Sequence, residues 1–416
     1  MKKSACSILL LAGIALNTQA IIHGRGKIAE DAGSTVTQKT GGGGTPELPT
    51  TPGWTKLTGT TLKGGSENAT PCPANNFNGY GYSYADSCQN VYNAWNSAVA
   101  DLNRNRLIIW GGGHADYGGN EIYSLELSTN PPELIRLNAP SPPNNTTKCV
   151  ETLADGRPNS RHTYDGLAFL PKQDVMLSQS GSLNYCGFST DGTWTLSLSS
   201  VGVSCAPNCT PVWTKRTPAT QVPSGYDIIM AYDTVNNLVW ANDQNHGLYS
   251  YDPIANNWTR RFALPVGDTM HGTGVHDPIN QHFINVATGG GDRQNIVYFN
   301  TAMGSSHGQN NPGLDASCSA MNNGMGYPGL AWDPIDKLVV VYPNAGNVLY
   351  LLDPKTWKCT TEIYGGSQGT DYPQGVNSGG HGSMGRFNYF PSLDVYVLCN
   401  DPNNDCWLLR RKRRAN

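Results

Sequence analysis

"YDIIMAYDTVNNLVWANDQNHGLYSYDPIANNWTRR" occupies Tyr226–Arg261. It holds four short apolar runs separated by Asn, Asp, Gly and Pro. Runs this short, bounded by turn formers, read as strands. The same pattern recurs from about residue 95 onward: in Asn96–Leu127, Tyr164–Leu198, Gly272–Asn300, Tyr327–Thr361 and Gly382–Arg411. Each copy has an apolar run, a turn such as "DPIN" (277–280) or "DPID" (333–336), and a second run. A Gly/Asn-rich loop follows, then a third run often ending in Asp. Several copies close on a strand led by Trp, as at Trp213 and Trp258. The spacing, roughly 40 to 65 residues, varies because the loops vary, and four-stranded units repeating at such a period predict a β-propeller.

The last copy stops after its third strand. "GWTKLTGT" (Gly53–Thr60) has the same look as "VWTKRT" at 212–217, so it is expected to supply the missing strand. Pairing first and last strands seals the ring and leaves no exposed closing edge. The expected fold is all-β, with six blades. Seven remain open if 300–325 or 60–92 hides a degenerate blade.

Composition agrees with this reading. The chain has 416 residues, only 14% of them charged, and 48 glycines, a turn-rich make-up poor in helix formers. Residues 1–20 read as a secretory signal: Lys2 and Lys3, the apolar run "SILLLAGIAL", then cleavage after Ala20. That run is too short to span a bilayer, and no later stretch approaches the needed length. Removing the signal takes away two lysines and no acids, moving the formal charge from −3 to −5, which argues against a nucleic-acid partner. Residues 21–53 read as a flexible linker and 54–412 as the propeller domain. The basic run Arg410–Arg414 reads as a solvated terminus. A monomer is expected.

Cys6 lies in the signal, and ten cysteines remain. An even number in an exported chain predicts disulfides. Closeness suggests Cys72–Cys88, Cys205–Cys209 and Cys399–Cys406. Cys149, Cys186, Cys318 and Cys359 supply two more, with their connectivity open.

In a propeller blade with strands a to d from the axis outward, b–c loops and d–a links emerge on one face. His114 falls in the first b–c loop, within "GGGHADYGGN". His162, His271 and His381 fall at the d–a entries of the second, fourth and sixth blades. The same face is expected to carry Arg161, Tyr164, Asp165, Asp116, Tyr117, Asn120, Glu121, Tyr185, Asp292 and Arg293. His246 lies in the third b–c loop, whereas His276 and His282 belong to the a–b side. Glycines 111–113 are expected to let the chain turn at positive φ and lean over the axial opening. A lone loop histidine is by default a hydrogen-bonded structural residue; four at equivalent positions point to a site.

The layout resembles the kelch or galactose-oxidase-like propellers, carried by the Gly-Gly near the second strand and the later Trp across 54–412. The copper chemistry of galactose oxidase is not implied, because its crosslinked Tyr–Cys pair has no match here. The His/Tyr/Arg face is remotely similar to that of propeller-fold polysaccharide lyases of the ulvan and oligogalacturonide type. A lyase neutralises a uronate carboxylate, removes the C5 proton and protonates the leaving oxygen. That resemblance implies His114 and His162 as base or neutraliser, Tyr185 or Tyr117 as acid, and Arg161 or Arg293 on the carboxylate. Asp116, Asn120, Glu121, Tyr164, Asp165, Asp292 and Arg293 would then bind substrate. A second reading has His162, His271 and His381 converge on one divalent metal. A third is a non-catalytic module that grips glycan or protein. A glycosidase, needing two facing carboxylates, is weaker.

Overall fold

The computed structural model describes residues 48–413 apart from 65–70, 145–148, 187–188, 219–220, 244–246, 264–270, 289–293, 325–326, 366–370 and 375–380. The proposed signal and nearly all of the proposed linker therefore lie outside the described residues.

Six four-stranded antiparallel sheets follow one another in the sequence, making a six-bladed β-propeller. Strands a of the six blades are Ala98–Asp101, Leu167–Leu170, Ile228–Asp233, Thr273–Asp277, Gly329–Asp333 and Phe387–Phe390. The N-terminal strand Gly53–Lys56 is the outermost strand of the last blade, with Trp54 opposite Leu409 and Lys56 opposite Trp407. Residues 60–92 contain short helical turns, and 300–325 contributes the fourth blade's outer strand Gln309–Asn310 followed by further helical turns. Among the described residues, neither place holds the seventh blade left open by the sequence.

The a–b turns explain the repeat. Asp233, Asp277 and Asp333 each accept the backbone N–H groups two and three residues on, so the carboxylate stands in for a turn's missing acceptors. Each a–b turn then ends on a left-handed residue: Asn105, Asp174, Asn237, Gln281, Lys337 and Asp394. A turn closed by a left-handed residue matches the twist of the strands it joins.

The buried apolar side chains fall into six clusters, one between each pair of neighbouring blades. Trp110, Trp258, Trp240 and Trp54 fill four of them and are fully buried. This sheet-on-sheet packing is why a single blade does not suffice: each face finds its apolar partner only in the next copy.

All ten described cysteines are paired, as Cys72–Cys88, Cys149–Cys186, Cys205–Cys209, Cys318–Cys359 and Cys399–Cys406. No described helix is long and apolar enough to cross a membrane.

The C-terminal basic run corrects the sequence reading. Arg411 is buried, donating to Asp333 at 2.7 Å and to both oxygens of Glu362 at 2.9 and 3.0 Å. Arg413 reaches Asp333 at 2.6 Å and also pairs with Asp394. The arginines are held because the buried Asp333 and the carboxylates of Asp336, Glu362 and Asp394 face them where the ring closes.

Candidate functional site

Strand a of the first blade is preceded by Trp95, and the corresponding entries of the next four blades carry Tyr164, Tyr226, His271 and Tyr327. His381 precedes the sixth. These rings meet around the axis. Trp95 stacks on His381 with centroids 3.5 Å apart and on His271 at 5.8 Å. Tyr164 lies 5.8 Å from His162, 6.0 Å from His271 and 6.2 Å from Tyr226. Tyr327 lies 5.4 Å from His271 and 6.0 Å from His381. His114 enters from the first b–c loop, 5.2 Å from His162. The four histidines thus share one axial mouth.

The glycine loop places His114. Gly111 and Gly113 have φ of 131° and 50°, and a Cβ on Gly113 would sit 1.7 Å from the backbone nitrogen of His162. Only a bare backbone passes there. The loop is laced to the short ribbon of Arg161–His162 and Ser182–Leu183: Gly112 N–H donates to Arg161 O at 3.0 Å and His114 N–H to Ser182 O at 3.3 Å. Tyr185 N–H returns a bond to His114 O at 2.6 Å.

Six mouth residues, Trp95, His114, Tyr164, Tyr185, His271 and Tyr327, hold positive φ between 32° and 61°. For aromatic side chains this region is sparsely populated, and it persists only where the surroundings enforce it.

His162 Nε2 lies 2.6 Å from Asp116 Oδ2. Burial holds the imidazole below its ordinary value despite the carboxylate beside it. Burial works against ionisation of Asp116, yet the hydrogen bond from His162 and the electrostatic attraction of the neighbouring imidazoles of His162, His114 and His381 hold its carboxyl below the usual range. The Asp116 side chain is 42% exposed against 2% for His162, so the charge resides on the carboxylate and the imidazole is neutral. The acceptor on Asp116 puts the proton on Nε2, and Nδ1 is buried without a partner among the described residues. His381 has the opposite tautomer, because its Nδ1 donates to the Asn93 carbonyl at 2.9 Å and a carbonyl only accepts. Burial also lowers His271, and the neighbouring His381 and His162 rings work in the same direction.

Below the rings lies Asp227, which accepts the His271 N–H; burial pushes its carboxyl up to about 8. Asp165 is deeper still, accepting from Gly274 N–H at 2.7 Å, and burial holds it well above the carboxylate range.

Several expected site residues are elsewhere. Tyr117 is fully buried and donates to Glu121 at 2.5 Å, and Glu121 also accepts from Tyr123. Both form an internal clasp, so Tyr117 as an acid and Glu121 as a substrate ligand are corrected. Asn120 is buried, bonding Ser141 Oγ and the Pro158 carbonyl. Arg161 is buried too: Glu151 takes it at 3.0 Å, leaving no guanidinium for a substrate carboxylate. Its side chain alternates away from the mouth because its neighbour His162 points in. Asp165 supports the axis from inside. The metal expectation for His162, His271 and His381 also gives way. Trp95 lies against His271 and His381, and among the described residues no three His, Cys, Asp or Glu side chains are grouped to hold a metal. His246, Asp292 and Arg293 lie outside the described residues.

Trp95, Tyr226, Tyr327 and Asp227 were missed by the histidine-led reading. The signal was present, since the quoted copies at 164, 226 and 327 each begin with Tyr.

No protein-family profile matches the chain, and no curated protein does. Among solved structures, the chain is similar to a protein of unknown function from Bacteroides thetaiotaomicron VPI-5482. The two share 9% identity over 86% of this chain and 76% of that one, with a TM-score of 0.51. An auxiliary nutrient binding protein from the same organism gives 13% identity, 86% and 75% coverage and a TM-score of 0.49. One from Bacteroides ovatus ATCC 8483 gives 11%, 77% and 70% coverage and 0.46. At 9% identity the first likeness speaks to the fold alone.

Proposed function

We propose that this chain is an exported, glycan-directed propeller that performs lyase-type acid–base chemistry on an anionic polysaccharide at the histidine mouth. The reading extends the kelch-like and lyase resemblances of the sequence. The observation that carries it is the Asp116–His162 pair, which orients a neutral imidazole, its Nδ1 buried and unpartnered among the described residues, beside three further histidines. A base aligned by a carboxylate is the arrangement that proton abstraction requires. In this proposal His162 takes the C5 proton, His114 meets the uronate carboxylate, and Tyr185, 41% exposed and bonded through its backbone to His114, protonates the leaving oxygen. Trp95 offers the flat face on which a sugar ring stacks. The enforced left-handed conformations around the mouth support a functional reading of the whole ring.

The withdrawal of Arg161 onto Glu151 favours a second reading, a mouth that grips glycan without turning it over. One experiment separates the two. The purified protein is incubated with a panel of uronate-bearing glycans while the absorbance of unsaturated ends is followed, and retention on the same immobilised glycans is measured. New absorbance supports the lyase. Retention without absorbance supports the binder, and neither result on any glycan overturns both.

A further inference from the structure

The opposite face carries a second feature. A cavity of about 410 Å³ runs along the axis between the six a strands and opens among the a–b turns. Its volume is that of a small-molecule site. The residue before the end of strand a lines it in every blade. Five of those six residues are ring-bearing, namely Phe169, Tyr232, His276, Trp332 and Tyr389, and the first blade has Ala100. Small residues at the adjoining positions, Ala98, Ala168, Ala231, Gly274 and Ala331, keep the bore open. The inner end is spanned by hydrogen bonds across the axis: Gly274 N–H to Asp165 at 2.7 Å, Ser97 Oγ to Asp165 at 3.4 Å and Gly385 N–H to Ser97 Oγ at 3.1 Å. These separate the cavity from the ring of histidines.

The open end has an apolar collar. Leu102, 41% exposed, lines the cavity, while Val235, Ile279 and Ile335, each two residues past the turn aspartate in three a–b turns, are 50, 54 and 52% exposed beside the lining residues Thr234, Pro278 and Pro334. Pro171, Pro278, Pro334 and Pro391 line the rim. Exposed aliphatics scattered singly need no explanation, but one set with four prolines at the rim of an apolar bore does.

We propose that this channel binds one uncharged, elongated apolar molecule of the long-chain alcohol kind. No Lys, Arg or Glu lines the wall. Its two residues of charge-bearing type are already engaged, Asp165 with Gly274 and His276 with Thr301 at 2.9 Å. Burial favours the neutral form of both, raising Asp165 and lowering His276 even with the Asp233 carboxylate 3.6 Å from its Nε2. A charged head would lose its hydration there without gaining a partner, whereas an alkyl chain exchanges water for aromatic and aliphatic contacts.

The full chain is titrated with phenylnaphthylamine, an uncharged fluorophore, and the bound dye is displaced with dodecanol or dodecanoate. Saturable one-to-one enhancement is expected, with dodecanoate weaker than dodecanol by about tenfold or more. Ala331→Trp, which puts an indole across the bore, abolishes binding, and Leu102→Lys at the rim weakens it by about tenfold. Ile254→Ser, on an outer c–d turn, leaves it unchanged. Non-saturable enhancement, equal displacement by dodecanoate, or full binding by Ala331→Trp overturns the proposal. If Ala331→Trp does not fold, Leu102→Lys decides: unchanged affinity there overturns it.

Discussion

Asp116 Oδ2 sits 2.6 Å from His162 Nε2, and the two residues come from different blades. Asp116 rides on the first blade's b–c loop, and His162 lies on the short ribbon ahead of the second blade's inner strand. The carboxylate fixes which ring nitrogen bears the proton. Asp116→Asn keeps the shape but lets the amide donate, which favours the wrong tautomer. Glycan-cleaving activity is expected to fall by about 10²- to 10⁴-fold, with the melting curve little changed. His162→Ala should fall equally, and the double variant no further, because the two act as a unit. Retained activity in Asp116→Asn would remove His162 as the base.

Trp95 covers His381 at 3.5 Å and reaches His271 at 5.8 Å. Trp95→Ala is expected to weaken retention on glycan by about tenfold or more, since it removes the largest flat face at the mouth. Trp95→Phe should recover part of it. Calorimetric titration with a soluble oligosaccharide reads the difference. Unchanged affinity in Trp95→Ala would move the glycan off this mouth.

The repeat, the closing strand and the shared face of the four histidines were legible because each rests on local rules. The turn aspartates, the alternating strand directions and the Gly-rich loop fix which end of a strand a residue occupies. The second coordinate, inward or outward, was not legible. Arg161 and His162 are adjacent yet face opposite ways, as do Asp116 and Tyr117, and only the packing of neighbouring blades decides which goes in. Arg411 shows the same limit in charge. A basic run reads as solvated until the fifth blade's Asp333 and Glu362 come within 3 Å of it, and those residues are distant in sequence. Trp95 carries no acid–base group to mark it in the sequence, although its position before an inner strand matches that of Tyr164 and Tyr226.

Asp227 ties the mouth to pH. Its carboxyl is pushed up to about 8 in the fold, while in the unfolded chain it titrates near its ordinary value. The native state therefore holds a proton that the unfolded state has released, so stability falls as pH rises from about 4 to about 8 and flattens beyond. Asp227→Asn removes that slope while still accepting the His271 N–H. Relative to the parent it should gain on the order of 1–3 kcal/mol at about pH 9 and almost nothing at about pH 4. Urea unfolding at the two pH values checks this. An equal effect at both would mean that Asp227 is ionised in the fold.

Arg411 follows directly on the strand that pairs with Gly53–Lys56, so its ion network pins the place where the ring closes. Asp333 is the hub: it caps the fifth blade's a–b turn and accepts from Tyr396, Arg411 and Arg413. Removing one partner of a buried pair leaves the other charge without compensation, so Arg411→Met is expected to cost about 3–5 kcal/mol. Asp333→Asn should cost a similar amount and also loosen the turn. Combined, the two should cost clearly less than the sum of their separate effects, because the second change removes a charge already stranded by the first. Lys412→Ala, which keeps the Arg411 contacts, should change stability by less than about 0.5 kcal/mol. Denaturant unfolding under non-reducing conditions measures all four. Because Arg411 and Asp333 are both fully buried, the loss should persist in high salt, where a surface pair would be screened. A small, salt-sensitive effect in Arg411→Met would return the basic run to the solvated surface and leave ring closure to strand pairing alone.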